Sequence, residues 1–297
     1  VSLIGGTGSL SAMSTPTVLV TGAGRGIGRA TVEGFLAEGW NAVAGVRDVE
    51  AAQAAFAPHP NLAIVHLDVC DAVSIASGTA AARQFAGAPL AAVVPNAGYA
   101  VMGSSEDTDL DVVRQMFETN LFGNAAVMQQ VLPEMRASGQ GVIVCTSSIG
   151  ARLANPLLGM YHASKYAMTA WAESMALELQ PFGVRVHLVE PGMVNTDFPM
   201  ATRATGAIAQ GEGPYAPLFG ELRNGFRSWR ERLGVGAHDV AAVIVATALD
   251  PRAPFRIPVG QDAVEMTAAR AELDDAAFHR WQMDFLGMSW GQERPQE

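Results

Sequence analysis

Short unbroken apolar runs alternate along this chain with stretches whose apolar residues recur every three to four positions. Val18-Leu19-Val20 is the first run, closed by Thr21 and a group of glycines; Ile27, Ala30, Thr31, Gly34 and Phe35 then follow at helical spacing. By the same reading, further strands are expected at 41–46, 62–67, 91–94, 142–146, 184–189 and 255–259. Helices are expected at 49–56 and 73–85, across 110–136 and 161–179, and at 240–248. Strand–helix alternation of this kind makes a parallel sheet with helices on both faces. Runs such as Val142-Ile143-Val144 suit strands buried on both sides. Right-handed crossovers then give an α/β fold, a doubly wound, Rossmann-like sheet.

The rhythm breaks once, over residues 195–236, which are rich in Gly, Pro, Met and aromatic residues. Segments of that length in compact domains are functional or mobile, and this one reads as a lid on a single domain spanning 13–297. Phe198, Met200, Tyr215, Phe219, Phe226 and Trp229 are expected to form its apolar ceiling, with Leu153, Leu157 and Leu158 lining the same pocket. Residues 1–12 precede Met13-Ser14-Thr15-Pro16 and are expected to be an expression scar or a disordered extension. Gly5-Gly6-Thr7-Gly8 has too few residues before it for a strand to aim it, and is read as a decoy.

Composition narrows the classes. With 297 residues and 49% hydrophobic content, a large core is easily supplied. A net charge of −10 argues against nucleic acid or an anionic membrane as partner. No run approaches the roughly 20 apolar residues of a membrane span. Charged residues are 16%, against about 25% in an average soluble chain, which points to surface hidden in a subunit interface. Cys70 and Cys145 are far apart and form no CxxC pair, so both are expected to be reduced thiols in or near the core of a cytoplasmic protein, without a metal site.

Two constellations carry chemistry. Gly22, Gly24, Gly26 and Gly28 lie between the first strand and the first helix, where backbone N–H groups can approach a pyrophosphate at the helix N-terminus. Tyr161 and Lys165 are separated by four residues, so on a helix both side chains point the same way. An ammonium beside a phenol is expected to lower a pKa that starts near 10, making the tyrosine a general acid or base. Ser148 closes the fifth strand, at the sheet edge where ligands bind, and could hydrogen-bond the oxygen that Tyr161 protonates. His162 is expected on another face of the helix, without a role. Glu173 and Glu178 read as solvent or interface charges.

Taken together these motifs resemble the short-chain dehydrogenase/reductase family, over about residues 17–259. The glycine loop Thr21-Gly22-Ala23-Gly24-Arg25-Gly26-Ile27-Gly28 matches the family's TGxxxGxG, and Asp68-Val69 matches the position of the acidic residue that family members place beside the adenine ring. Asn96-Ala97-Gly98 matches the family's NNAG with Pro95 in place of the first Asn, for which a local adjustment is expected. Asn120 matches the asparagine that supports a relay water. Ser148, Tyr161 and Lys165 match the catalytic set, Tyr161 and Lys165 also meeting the cofactor. Pro191-Gly192-Met193-Val194-Asn195-Thr196 matches PGxVxT, in which Pro191, Gly192, Val194 and Thr196 would hold the nicotinamide carboxamide and phosphates.

The resemblance implies an oxidoreductase that moves a hydride between a nicotinamide cofactor and a small-molecule ketone or secondary alcohol. Relatives are commonly homodimers or homotetramers. The long segment after PGMVNT is similar to the hydroxysteroid and retinol dehydrogenase-like branch, which suggests a bulky apolar substrate. Arg47, after the second strand, can pair with a 2′-phosphate, and Arg25 could add a second charge. That favours NADP(H). Asp48 is either a helix N-cap or, in a shifted register, the reader of NAD(H). A cofactor-free lyase of the halohydrin dehalogenase kind, or a nucleotide-sensing protein without turnover, would each be expected to lack part of the intact set of glycines, Ser, Tyr and Lys.

Overall fold

The computed structural model describes residues 15–196 and 203–290. The expectations for residues 1–12, Phe198 and Met200 lie outside the described residues. Seven strands form one parallel sheet: Thr17–Thr21 (β1), Asn41–Val46 (β2), Leu62–His66 (β3), Ala92–Val94 (β4), Gly141–Thr146 (β5), Val184–Pro191 (β6) and Arg256–Val259 (β7). Their order is β7-β6-β5-β4-β1-β2-β3, and every pairing is parallel. Chain order reverses between β1 and β4, which opens a crevice at the C-terminal ends of those strands. The doubly wound, Rossmann-like sheet expected from the apolar runs is therefore present.

The helices are Gly26–Ala37 (α1), Val49–Ala55 (α2), Ala72–Ala86 (α3), Leu110–Phe117 (α4), Asn124–Ser138 (α5), Gly159–Leu179 (α6), Ala216–Leu233 (α7), Ala237–Leu249 (α8), Gln261–Glu272 (α9) and Asp275–Leu286 (α10). Among the described residues none is long and apolar enough to cross a membrane. Val18 and Val20 of β1 pack with Val32 and Phe35 of α1 and Ile244 and Val245 of α8 on one face. Leu19 packs with Val127, Met128 and Met168 of α5 and α6 on the other. Successive strand residues point to opposite faces, so burial on both sides demands an unbroken apolar run. A π-helical turn, Glu118–Gly123, joins α4 to α5 inside the stretch expected as one helix, and it contains Asn120.

The segment expected as a lid over 195–236 is not one loop. It contains α7, whose Leu218, Leu222 and Trp229 form a third core with Met266 of α9 and Phe278 and Leu286 of α10. The strand pattern gave no warning of these last two helices. Phe226 packs both into this cap and against the cluster around Tyr161. Leu153 and Leu157 belong to the cap, whereas Leu158 packs beside Tyr161.

At the seam between β1 and β4 the Thr21 hydroxyl donates to Asn124 Oδ1 at 3.0 Å. It also accepts the backbone N–H groups of Asn96 and Ala97 at 2.9 and 3.0 Å. β4 stops at Val94, and the Pro95 carbonyl still accepts from Thr146 N–H at 2.9 Å, so pairing toward β5 continues past the proline. A buried N–H left without an acceptor costs about 1–3 kcal/mol. Thr21→Val, which keeps the shape and removes the hydroxyl, is expected to lower the unfolding free energy by about 3 kcal/mol in denaturant titration. A loss below about 1 kcal/mol would contradict this account of the seam.

Candidate active site

The first βα turn is built to approach an anion. Gly22 has φ +63°, a conformation that L side chains rarely adopt, and at Gly28 a side chain would meet the Gly22 carbonyl and the Asn96 amide. α1 starts at Gly26 with no side-chain cap from Arg25 and no acidic residue in its first turn. Its N–H groups and dipole therefore face the crevice without a protein anion among the described residues. Gly24 and Arg25 are exposed and Ile27 is half-buried. Asn96 Nδ2 donates to the carbonyls of Thr21 and Gly22 at 3.0 and 3.3 Å, holding the turn from the far side of the seam.

Two other segments converge there. A side chain at Gly26 would lie 3.7 Å from Thr196 Cγ2, so the 191–196 segment faces the glycine turn. That segment is fixed by Gly192 N–H to the Val259 carbonyl, and by pairing of Val194 and Asn195 with Val235 and Gly236. The Ala97 carbonyl accepts from Asn124 Nδ2 at 2.9 Å. Asp68 and Val69 follow β3: Asp68 Oδ1 accepts the Cys70 N–H at 3.0 Å, and Val69 is buried against Gly123. The donor set and the bare glycine cradle fit a dinucleotide.

Past β2, Arg47 is exposed, and neither it nor Arg25 has an ion-pair partner among the described residues. Arg47 is close enough to lower the pKa of both the Cys70 thiol and the Tyr99 phenol, although burial outweighs it in each. Asp48 accepts the Ala51 N–H at 2.9 Å and caps α2. Cys145 is buried, but Cys70 is exposed beside the Thr119 hydroxyl, which corrects the expectation that both thiols lie in or near the core. Cys70 follows β3, the edge strand of the sheet.

Ser148, Tyr161 and Lys165 come together. Ser148 ends the extended segment after β5, where its Oγ accepts the Gly150 N–H at 3.0 Å and hydrogen-bonds the Tyr161 phenol. Lys165, the only lysine in the sequence, is buried one turn beyond Tyr161 and donates to the Thr146 carbonyl at 3.1 Å. Asn120 is fully buried; its Nδ2 donates to the Tyr99 carbonyl and to Ser164 Oγ at 2.9 and 3.0 Å, and its Oδ1 accepts the Tyr99 N–H at 2.9 Å. Gly98 lies between Asn120 and Lys165, and a side chain there would approach both.

Electrostatics correct one expectation. Burial pushes the Tyr161 pKa up to about 12, against the help of Ser148. Burial also brings Lys165 down to about 8. Burial, rather than the neighbouring ammonium, therefore sets the phenol, because desolvation disfavours the charged forms of both groups.

His162 has a structural place that its sequence position did not suggest. Its Nε2 accepts the Asn155 N–H at 3.0 Å, so Nδ1 carries the hydrogen and donates to the Gly150 carbonyl at 2.9 Å. The ring thereby ties the loop after Ser148 to the start of α6, in a stretch where Leu157 is held at φ +61°. Burial lowers its pKa from 6.5 to about 4. The unfolded imidazole takes up a proton near pH 6.5 and the folded one resists until about pH 4, so its contribution is intact above 6.5 and is lost as pH falls through that window. Between pH 7 and pH 4 the wild-type protein is expected to lose about 3 kcal/mol more unfolding free energy than His162→Gln. Equal losses in denaturant titrations at the two pH values would contradict this.

The short chain dehydrogenase family model matches residues 16–206. A 3-ketodihydrosphingosine reductase of Bacteroides thetaiotaomicron is 32% identical, over 84% of this chain and 89% of its own. The human 17-beta-hydroxysteroid dehydrogenase type 1 is 33% identical over 63% of this chain and 59% of its own. The crystal structure of a short-chain dehydrogenase from Streptomyces avermitilis superposes with a TM-score of 0.80 at 30% identity, covering 93% of this chain and 99% of that one. Glycine turn, sheet order and family match agree: the chain belongs to the short-chain dehydrogenase family and is an NAD(P)-binding oxidoreductase acting on small molecules.

Proposed function

We propose that this oxidoreductase is NADP(H)-dependent and interconverts a ketone and a secondary alcohol of largely apolar character. The observation that carries the reading is the hydrogen bond of Ser148 to the buried Tyr161 phenol, with Lys165 one turn further along α6. When bound, the nicotinamide supplies or accepts the hydride. Tyr161 stays protonated through the neutral range, which is the form that donates a proton to a carbonyl oxygen in reduction. It takes the proton back from the alcohol in oxidation. The Ser148 hydroxyl orients and polarises the same oxygen. Lys165 holds the ribose hydroxyls, and Asn120 fixes the loop through which a water connects the lysine to solvent.

Val101, Leu158 and Phe226 surround Tyr161 and make an apolar wall. The names of the two curated relatives, a 3-ketodihydrosphingosine reductase and a hydroxysteroid dehydrogenase, agree with such a wall. Arg25 and Arg47, without an ion-pair partner among the described residues, support a 2′-phosphate, and Asp48 is engaged in capping α2. Exposed Leu110, Phe122, Tyr166 and Leu177 on α4, the π turn and α6 support a homodimer or homotetramer through those helices.

Two expected outcomes test this. In calorimetric titration NADPH binds roughly ten- to a hundredfold more tightly than NADH, the worth of one or two charge-assisted bonds, and Arg47→Asp abolishes the difference. Preference for NADH in the wild-type protein would return the ribose role to Asp48. Tyr161→Phe loses about a thousandfold or more in ketone turnover with NADPH affinity within about twofold of wild type; near-normal turnover would sink the mechanism.

A further inference from the structure

Asp262 lies at the start of α9, and its carboxylate is fully buried, with no cationic partner among the described residues. One oxygen, Oδ2, accepts two donors from different parts of the chain: the Met193 backbone N–H at 2.6 Å and the Trp229 indole N–H at 2.7 Å. The other, Oδ1, accepts the Ala263 N–H at 2.8 Å. This last bond is local, to the next residue of α9, whereas the other two reach across the fold. Side chains at Gly192 or Gly260 would collide with the carboxylate, so bare backbone at both positions lets it lie against the 191–196 turn. Met193 belongs to the segment that faces the glycine turn. Trp229 is on the inner side of α7, one turn from Phe226, which packs into the cluster around Tyr161. Past the end of α7, Val235 N–H donates to the Met193 carbonyl at 3.0 Å, so the same residue is held from both sides.

We propose that Asp262 is a positioning residue that locks the cap helix α7 and the 191–196 turn into one arrangement, so that the apolar wall over the substrate and the turn under the cofactor move together. The proposal rests on the functional reading above for what the turn and wall contact, but the mechanical link can be read without turnover. Trp229→Phe keeps an aromatic ring at this position, though a smaller one, and removes the indole donor, leaving the bond to Met193. Asp262→Asn removes the charge that holds both donors.

Hydrogen exchange on the free protein is expected to speed up about tenfold in peptides covering 216–233 in both variants, and in peptides covering 191–196 only in Asp262→Asn. For the wild-type activity, Trp229→Phe raises the ketone KM about tenfold with the NADPH Kd within about twofold, whereas Asp262→Asn raises both about tenfold. Unchanged exchange in 216–233 for Trp229→Phe, or a lowered thermal midpoint in Asp262→Asn with Kd and KM unmoved, would overturn the proposal. Failure of the wild-type protein to bind NADPH would sink the functional reading, and the exchange data would still decide whether Asp262 links the two segments.

Discussion

Where β1 and β4 part at the C-terminal edge of the sheet, three loops meet with more backbone donors and acceptors than the strand ladders pair. The side chains of Thr21, Asn96 and Asn124 supply the balance. Each spends its polar atoms on backbone or on another of the three, so the crevice is held open by buried polar groups that are paired. The glycine turn on one side and Asn120 on the other are both aimed from this knot. Ser164 then passes the register on to α6, because its hydroxyl accepts from Asn120 and donates to the Tyr161 carbonyl at 2.7 Å. The spacing between Tyr161 and the cofactor side of the crevice is thus set by a chain of amides and hydroxyls, with no ion pair in it.

The same dryness governs the titratable groups. Burial drives Tyr161 and Cys145 up, and Lys165 and His162 down, so all four are pushed toward their neutral forms. The two buried carboxylates among the described residues are compensated differently. Glu190 lies between Arg152 at 2.7 Å and Arg256 at 3.7 Å, and Asp262 relies on N–H groups alone. A neutral, hydrogen-bonded interior is the environment that the proposed exchange of a proton and a hydride with an apolar substrate needs.

Most of the central sheet was legible because its inner strands, such as Val18-Leu19-Val20 and Val142-Ile143-Val144, are unbroken apolar runs, and the glycine turn because its spacing reports a backbone need. The cap was less so. Gly206, Gly211, Gly213 and two prolines punctuate the segment before α7, and its four arginines hide the stripe of Leu218, Leu222, Gly225 and Trp229, whose helical spacing could have been counted. The phenol was misjudged because a neighbouring charge can be read from spacing, whereas desolvation depends on what packs above it. His162 and Asp262 were invisible for a related reason. Their partners, Gly150, Asn155, Met193 and Trp229, are reached across the fold, and nothing local marks either residue as more than a helix position.

One feature of the site sets it apart from the rest of the surface. The other basic side chains in this sequence are arginines and histidines, so Lys165 is the only side-chain primary amine the protein has. Reductive methylation or acylation of side chains can therefore mark one position alone, deep in the crevice, and only as fast as the crevice admits the reagent. An isotope-labelled methyl placed on that nitrogen would give a single side-chain signal from the centre of the protein, the chain's terminal α-amine being the one other amine the reagent can label.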